Sequence, residues 1–222
     1  MTYILNIETA TKNCSVSLAK NGNTIAFKEF ATQGYSHAEC LHVFVNDVLN
    51  EAKVDFNNLN AVAVSCGPGS YTGLRIGVSA AKGFCFALNI PLISVGTLSN
   101  LAQQVVVEKG KIVPMIDARR MEVFSAVFDS NHQISREVEA QILDENSFEN
   151  EHETLYFVGD SNEKAKSILK KSNFIFLDDI LYPSAKEMSA ISYKKFKNNE
   201  FEDLAYFEPF YLKDFLITKS SK

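Results

Sequence analysis

The sequence predicts an α/β protein of two lobes built on one order of elements, and three observations carry that expectation. The chain opens with three consecutive runs of strand character. The apolar spacing then changes to a helical period and alternates with short buried strands. After residue 110 the same order recurs more loosely, with no repeat of the residues themselves. The expected lobes are 1–106 and 107–205, with 206–222 returning to dock on the first.

In the first lobe "YILNIE" (3–8) reads as a buried strand, "CSVSLAK" (14–20) alternates with period two, and "NGN" turns the chain into "TIAFKEF" (24–30). From Ser36 to Lys53 the residues Leu41, Val45, Val48, Leu49 and Ala52 fall on one helical face, with Ser36 as N-cap and Glu39 at the third position. A strand at Ala61–Ser65, a glycine-rich turn, a helix from about Thr72 to Leu88, a strand at Pro91–Val95 and a helix from Thr97 to about Val107 follow.

The second lobe offers strands in "KIVPMID", "EVFSAVF", "QISREV", "TLYFVGD" and "FIFL", with helices near 162–170 and 184–197. Residues 130–153 are polar and give weak signals, as a surface region of low local stability would. The aromatic part of "EDLAYFEPFYLKDFLITKSSK" is expected to dock on the fold and "TKSSK" to fray.

With 222 residues, 46% of them hydrophobic, the chain has material for a sizeable core. A formal charge of −5 excludes strong unaided binding to a nucleic-acid backbone through a globally basic surface. The N-terminus lacks the pattern of a secretory signal and no run approaches the ~20 apolar residues of a membrane span, so a cytoplasmic protein is expected. Cys14, Cys40, Cys66 and Cys85 form no C-x-x-C pair and read as reduced core residues.

Chemistry is sought first in "CGPGSYTGLRIG" (66–77), which leaves a strand and opens a helix. Gly67, Gly69 and Gly73 permit tight backbone, so amides around Ser70–Thr72 can face an anion at the positive helix end, with Ser70, Thr72 and Arg75 as further donors. The spacing fits neither the Walker nor the dinucleotide pattern. Equally, the glycines can serve a sharp turn, while Gly77, Ser79, Ala80, Ala81 and Gly83 keep the helix slim for close packing on a neighbour. Composition alone tilts toward the packing or interface use.

Other constellations are read the same way. Glu8 with Thr9 and Thr11 either positions a cation or phosphate or caps a turn. Arg119 and Arg120 in "DARRMEVF" either bind an anion or are simply solvated or paired with Asp117 and Glu122. His37 and His42, about 140° apart around a helix, cannot chelate one ion, and His132 and His152 read as surface histidines. No G-x-S-x-G elbow accompanies Ser70, and no catalytic or metal-binding set is visible.

The stretches "ILNIETATKNCSVSL", "SHAECL", "AVAVSCGPGSYTGLRIGVSAAKGFCFALNIPLISVGTLSNLA", "DARRMEVFSAVF", "FVGD" and "FYLKD" together resemble the TsaB (YeaZ) family of bacterial threonylcarbamoyladenosine synthesis, relatives of TsaD. The resemblance is closest over residues 3 to about 128. It implies the two-lobed actin-like ATPase fold, each lobe a mixed sheet with flanking helices. Catalytic relatives resembling TsaD carry two metal-binding histidines in V-N-H-x-E-G-H; the matching "VGTLSNL" has Thr97 and Leu101 there. ATP-binding members use acid-x-Gly-Thr in the phosphate hairpin; this chain has Glu8-Thr9-Ala10-Thr11.

The resemblance therefore implies a non-catalytic partner with no intrinsic cofactor. It would pair with TsaD, joined by the ATPase TsaE, to modify an adenosine beside the tRNA anticodon, with tRNA reached through the complex. Pairing would use the helices 36–53 and 72–88 in a four-helix arrangement, also open to two copies of this chain as a homodimer. Leu41, Val45, Val48, Gly77, Val78, Ser79 and Ala81 are its expected contacts, so a charge at Val45 is expected to break pairing. ATP or ADP would sit at a shared interface, with Gly69, Ser70, Thr72, Arg75, Arg119 and Arg120 as candidate contacts. The competing readings are a self-sufficient ATP-dependent transferase or metalloprotease-like enzyme, and a homodimeric binding module for some other partner.

Overall fold

A computed structural model describes residues 1–31 and 37–213. Its first sheet holds β1 (Tyr3–Glu8), β2 (Asn13–Lys20), β3 (Asn23–Ala31), β4 (Ala61–Ser65) and β5 (Leu92–Val95) in the order β3-β2-β1-β4-β5. The first three pair antiparallel, while β1, β4 and β5 pair parallel. The second sheet holds β6 (Lys111–Asp117), β7 (Glu122–Asp129), β8 (Ile134–Ile142), β9 (Leu155–Val158) and β10 (Phe174–Phe176) in the order β10-β9-β6-β7-β8, with the same pattern of directions. Two lobes of one topology without a sequence repeat make up the expected actin-like ATPase fold.

Parallel strands need crossovers, and the helices that provide them cover the sheet. On one face of the first sheet Leu5, Ile7, Val62 and Val64 pack against α1 (His37–Ala52) and α2 (Tyr71–Leu88). Period-two alternation turns Ile4, Ala61, Ala63 and Ile93 to the other face, where they meet Ala185 and Met188 at the start of α5 (Met188–Lys197). Between the lobes, α3 (Thr97–Ala102) gives Leu98, Leu101 and Ala102 to the second lobe's core, and α4 (Asn162–Ile168) caps that sheet's far face through Ala165.

Three expectations are corrected. The first lobe does not end at residue 106. The chain returns to it near residue 183, where Ser17 donates to the Ala185 carbonyl at 2.7 Å and Asn13 to that of Pro183 at 3.1 Å. Residues 130–153 are more ordered than their polarity suggested: β8 runs nine residues along β7, and Leu143 and Phe148 are buried. Helix α3 stops at Ala102, five residues short. The Ser36 cap and the fraying "TKSSK" lie outside the described residues.

Candidate functional site

The glycine-rich turn is packed against the β1–β2 hairpin. Ser70 donates its amide to the Ala10 carbonyl at 2.7 Å and caps α2 by accepting from the Gly73 amide at 3.3 Å. A Cβ at Gly69 would lie 2.4 Å from Ala10 O, and one at Gly73 2.1 Å from Thr9 O. Thr9 in turn donates to the Gly73 carbonyl at 2.8 Å. The hairpin takes the space a phosphate would need and the Ser70 amide, and the Ser70 side chain takes the Gly73 amide, which favours the packing reading of these glycines.

Glu8 is fully buried beside the turn. Its Oε1 accepts from the Ala10 amide at 2.7 Å and Ser65 Oγ at 2.8 Å, and its Oε2 from Asn100 Nδ2 at 2.9 Å. Burial raises its pKa, against the lowering effect of these hydrogen bonds. The carboxyl thus knits β1, β4 and α3 together and caps the turn into β2 through the Ala10 amide, which favours the structural one of its two readings. Thr97 accepts from the Gly67 amide at 3.1 Å, and Leu101 is fully buried. His37 is buried against the Thr11 carbonyl at 2.8 Å, and burial lowers its pKa.

Arg75 and Thr72 are exposed on the first turns of α2. The Arg75 guanidinium lies 4.0 Å over the Tyr71 ring, and its Nε donates to Tyr211 Oη at 3.2 Å. Arg119 and Arg120 stand exposed in the β6–β7 turn of the other lobe, both with left-handed backbone at φ 73° and 53°. Their expected acid partners are engaged elsewhere: Asp117 pairs with Lys164, and Glu122 with Lys213. The candidate anion contacts therefore form two groups, one on each lobe.

The expected interface residues need correction. Leu41, Val45, Val48, Gly77, Val78 and Ala81 are all buried in the first lobe itself, leaving only Ser79 exposed. The apolar stripe used to pick them is the stripe by which α1 and α2 hold their own sheet. Gly77 meets that sheet too, since a Cβ there would lie 2.3 Å from Thr9 Oγ1, whereas Gly83 faces open space. The outward side carries Val43, 53% exposed, and Phe86, 82% exposed, and the two helices also line a shallow depression of about 490 Å³ with His42, Ile76, Ala80 and Phe84. Their signal in the sequence was apolar side chains lying off the helical stripe.

No cluster of three metal-ligating side chains occurs among the described residues. Burial pushes the Cys14 thiol up to about 12 and those of Cys66 and Cys85 up to about 11, so these three stay protonated. His132 reaches the Val105 carbonyl at 3.0 Å, a tie that its polar surroundings in the sequence did not suggest. No described helix is long and apolar enough to cross a membrane.

The model of the TsaD family, tRNA N6-adenosine threonylcarbamoyltransferase, matches residues 31–215. The tRNA threonylcarbamoyladenosine biosynthesis protein TsaB of Escherichia coli K12 is 30% identical over 95% of this chain and 94% of its own length. The tRNA N6-adenosine threonylcarbamoyltransferase of Ligilactobacillus salivarius is 39% identical over 43% of this chain and 32% of its own. Among solved structures, YeaZ from Pseudomonas aeruginosa is 25% identical with a TM-score of 0.84, covering 96% of this chain and all of that one.

Proposed function

This chain belongs to the TsaB family of tRNA threonylcarbamoyladenosine biosynthesis proteins, and we propose that it serves there as the non-catalytic partner of the TsaD transferase. The observation that carries the reading is at Thr97 and Leu101. Where catalytic relatives would hold a metal on two imidazoles, Thr97 fixes the Gly67 amide and Leu101 fills the second lobe's core. Neither side chain can replace an imidazole nitrogen as a ligand. Burial of Glu8 under three protein donors further closes the cleft to the usual phosphate chemistry.

Pairing is assigned to the outward side of α1 and α2, where Val43, Ile76 and Phe86 present apolar surface. The same side suits a second copy of this chain when the partner is absent. TsaE joins the pair, tRNA is reached through the assembly, and a nucleotide at the shared boundary draws on Arg75 or on Arg119 and Arg120. The decisive experiment is threonylcarbamoyl incorporation into tRNA with purified cognate components. The complete system should be active, while omission of this chain, or this chain alone with the adenylate, should give none; product from the chain alone would overturn the reading.

A further inference from the structure

We propose that residues 203–213 form a latch that holds the two lobes at a fixed angle and has its release point at Arg75 on α2. The stretch leaves β5, where Glu202 bridges Leu92, and crosses α2, where Lys82 Nζ donates to the carbonyls of Ala205 at 3.2 Å and Phe207 at 3.1 Å. Phe207 packs on the first lobe's core. The Phe210 amide then donates to the Cys66 carbonyl at 2.7 Å, so the strap lies directly on the glycine-rich turn. A Cβ at Gly67 would come within 2.5 Å of Phe210 O, and Gly67 has φ +118°, so this crossing requires glycine.

Beyond the turn the strap changes lobes. Tyr211 sits 4.9 Å from the Tyr71 ring and receives the Arg75 hydrogen bond, Leu212 packs on the second lobe's core, and Lys213 pairs with Glu122 at the start of β7. The lobes are otherwise tied by α3 and by the chain's return near residue 183, both held by buried contacts. Among the described residues the strap's second-lobe end is held by a half-buried leucine and a partly exposed ion pair, and a cavity of about 280 Å³ lined by Arg75, Ser79, Lys82 and Glu208 lies between α2 and the stretch of the strap just before it. A tie with so little buried surface opens locally before the rest of the fold. An acidic group brought to α2 would offer Arg75 a charge-assisted bond stronger than the neutral phenol's, and taking the guanidinium would free Tyr211.

The test needs no partner, so it stands apart from the pairing reading. Spin labels on p-acetylphenylalanine at positions 23 and 137, both exposed and one on each lobe, leave the cysteines untouched, and dilution of the labelled with unlabelled chain makes them report the interlobe distance within one chain. The unaltered chain should give one narrow distribution. Arg75→Gln and Lys213→Glu, surface changes on the two sides of the point where the latch changes lobes, should each broaden it and speed exchange of the Phe210 amide about tenfold or more. Leu212→Ser should do so more strongly. Wild-type width and exchange in both Arg75→Gln and Lys213→Glu would overturn the latch, whatever Leu212→Ser does to folding.

Discussion

At the scale of single residues, Glu8 dominates, because a fully buried carboxyl without a cation beside it links stability to pH. Its folded pKa lies above the unfolded value of about 4.3, so the folded chain keeps a proton that the unfolded chain releases. The stabilisation is complete below the unfolded pKa and is lost as pH rises through the folded one. The buried Asn100 Oδ1 has no hydrogen-bond partner and would accept a hydrogen bond from the protonated Glu8 carboxyl once its amide turns over. Glu8→Gln, uncharged at every pH, should therefore flatten the acid-to-neutral stability profile in urea melts; a profile parallel to wild type would refute this. Val45 makes the second test. It is 1% exposed, so Val45→Asp should unfold the first lobe, at a cost above about 4 kcal/mol, rather than merely break pairing. Val43→Asp should leave the melting curve within about 0.5 kcal/mol of wild type and abolish association in sedimentation. Sequence periodicity showed that Val45 faces something apolar; it could not show whether that surface belongs to this chain or to another.

At the scale of elements, α2 serves two surfaces, and its glycines divide between them. Gly73 and Gly77 meet Thr9 on the inside, while Gly83 lies on the exposed side with nothing within 4 Å. Gly77→Ala should cost about 1–3 kcal/mol by overpacking against Thr9. Gly83→Ala should instead stabilise the isolated chain by about 0.5–1 kcal/mol by lowering unfolded-chain entropy. If a partner helix comes close there, the same Gly83→Ala change should weaken pairing, so thermal melts and titration calorimetry should move in opposite directions; equal pairing would place the contact elsewhere on the helix. The strand-turn-helix element was legible because its β4 run and its 3.6 period are local signals. The groups bonded to its turn were not, since Ala10, which accepts from the Ser70 amide, and Thr9, which donates to the Gly73 carbonyl, approach from some sixty residues away. Likewise β8 was cut short because it is an edge strand with a mostly exposed pattern, which composition does not distinguish from a loop.

At the scale of the whole molecule, the order of elements along both lobes was readable from local pattern, and the fold from the family resemblance, but the lobe boundary was not. Local pattern places a helix near 184–197 in the second half without saying which sheet it covers. The covering is decided by a seam of hydroxyls: Ser184 donates to Glu29 at 2.7 Å, Ser15 accepts from the Ala185 amide at 3.0 Å, and Ser17 donates to the Ala185 carbonyl at 2.7 Å. Such a seam is not an apolar pattern to read: Ala185 and Met188 are the fully buried apolar members of this segment, and Ile191, Tyr193 and Phe196 are only partly buried against the same cluster. Its physical consequence is that the first sheet is incomplete without the end of the chain. Shortening the protein to residues 1–182 would bare Ile4, Ala63 and Ile93 together with the buried polar groups of Asn6, Asn13 and Ser17, each of which would lose one of its hydrogen-bond partners. The shortened chain should therefore fail to show slow amide exchange in β1 and β4, although every residue of the five-stranded first sheet is still present. Supplying residues 183–222 as a separate peptide should restore that protection. Native-like protection of β1 and β4 without the peptide would mean that the first lobe closes on its own and that α5 is an appendage.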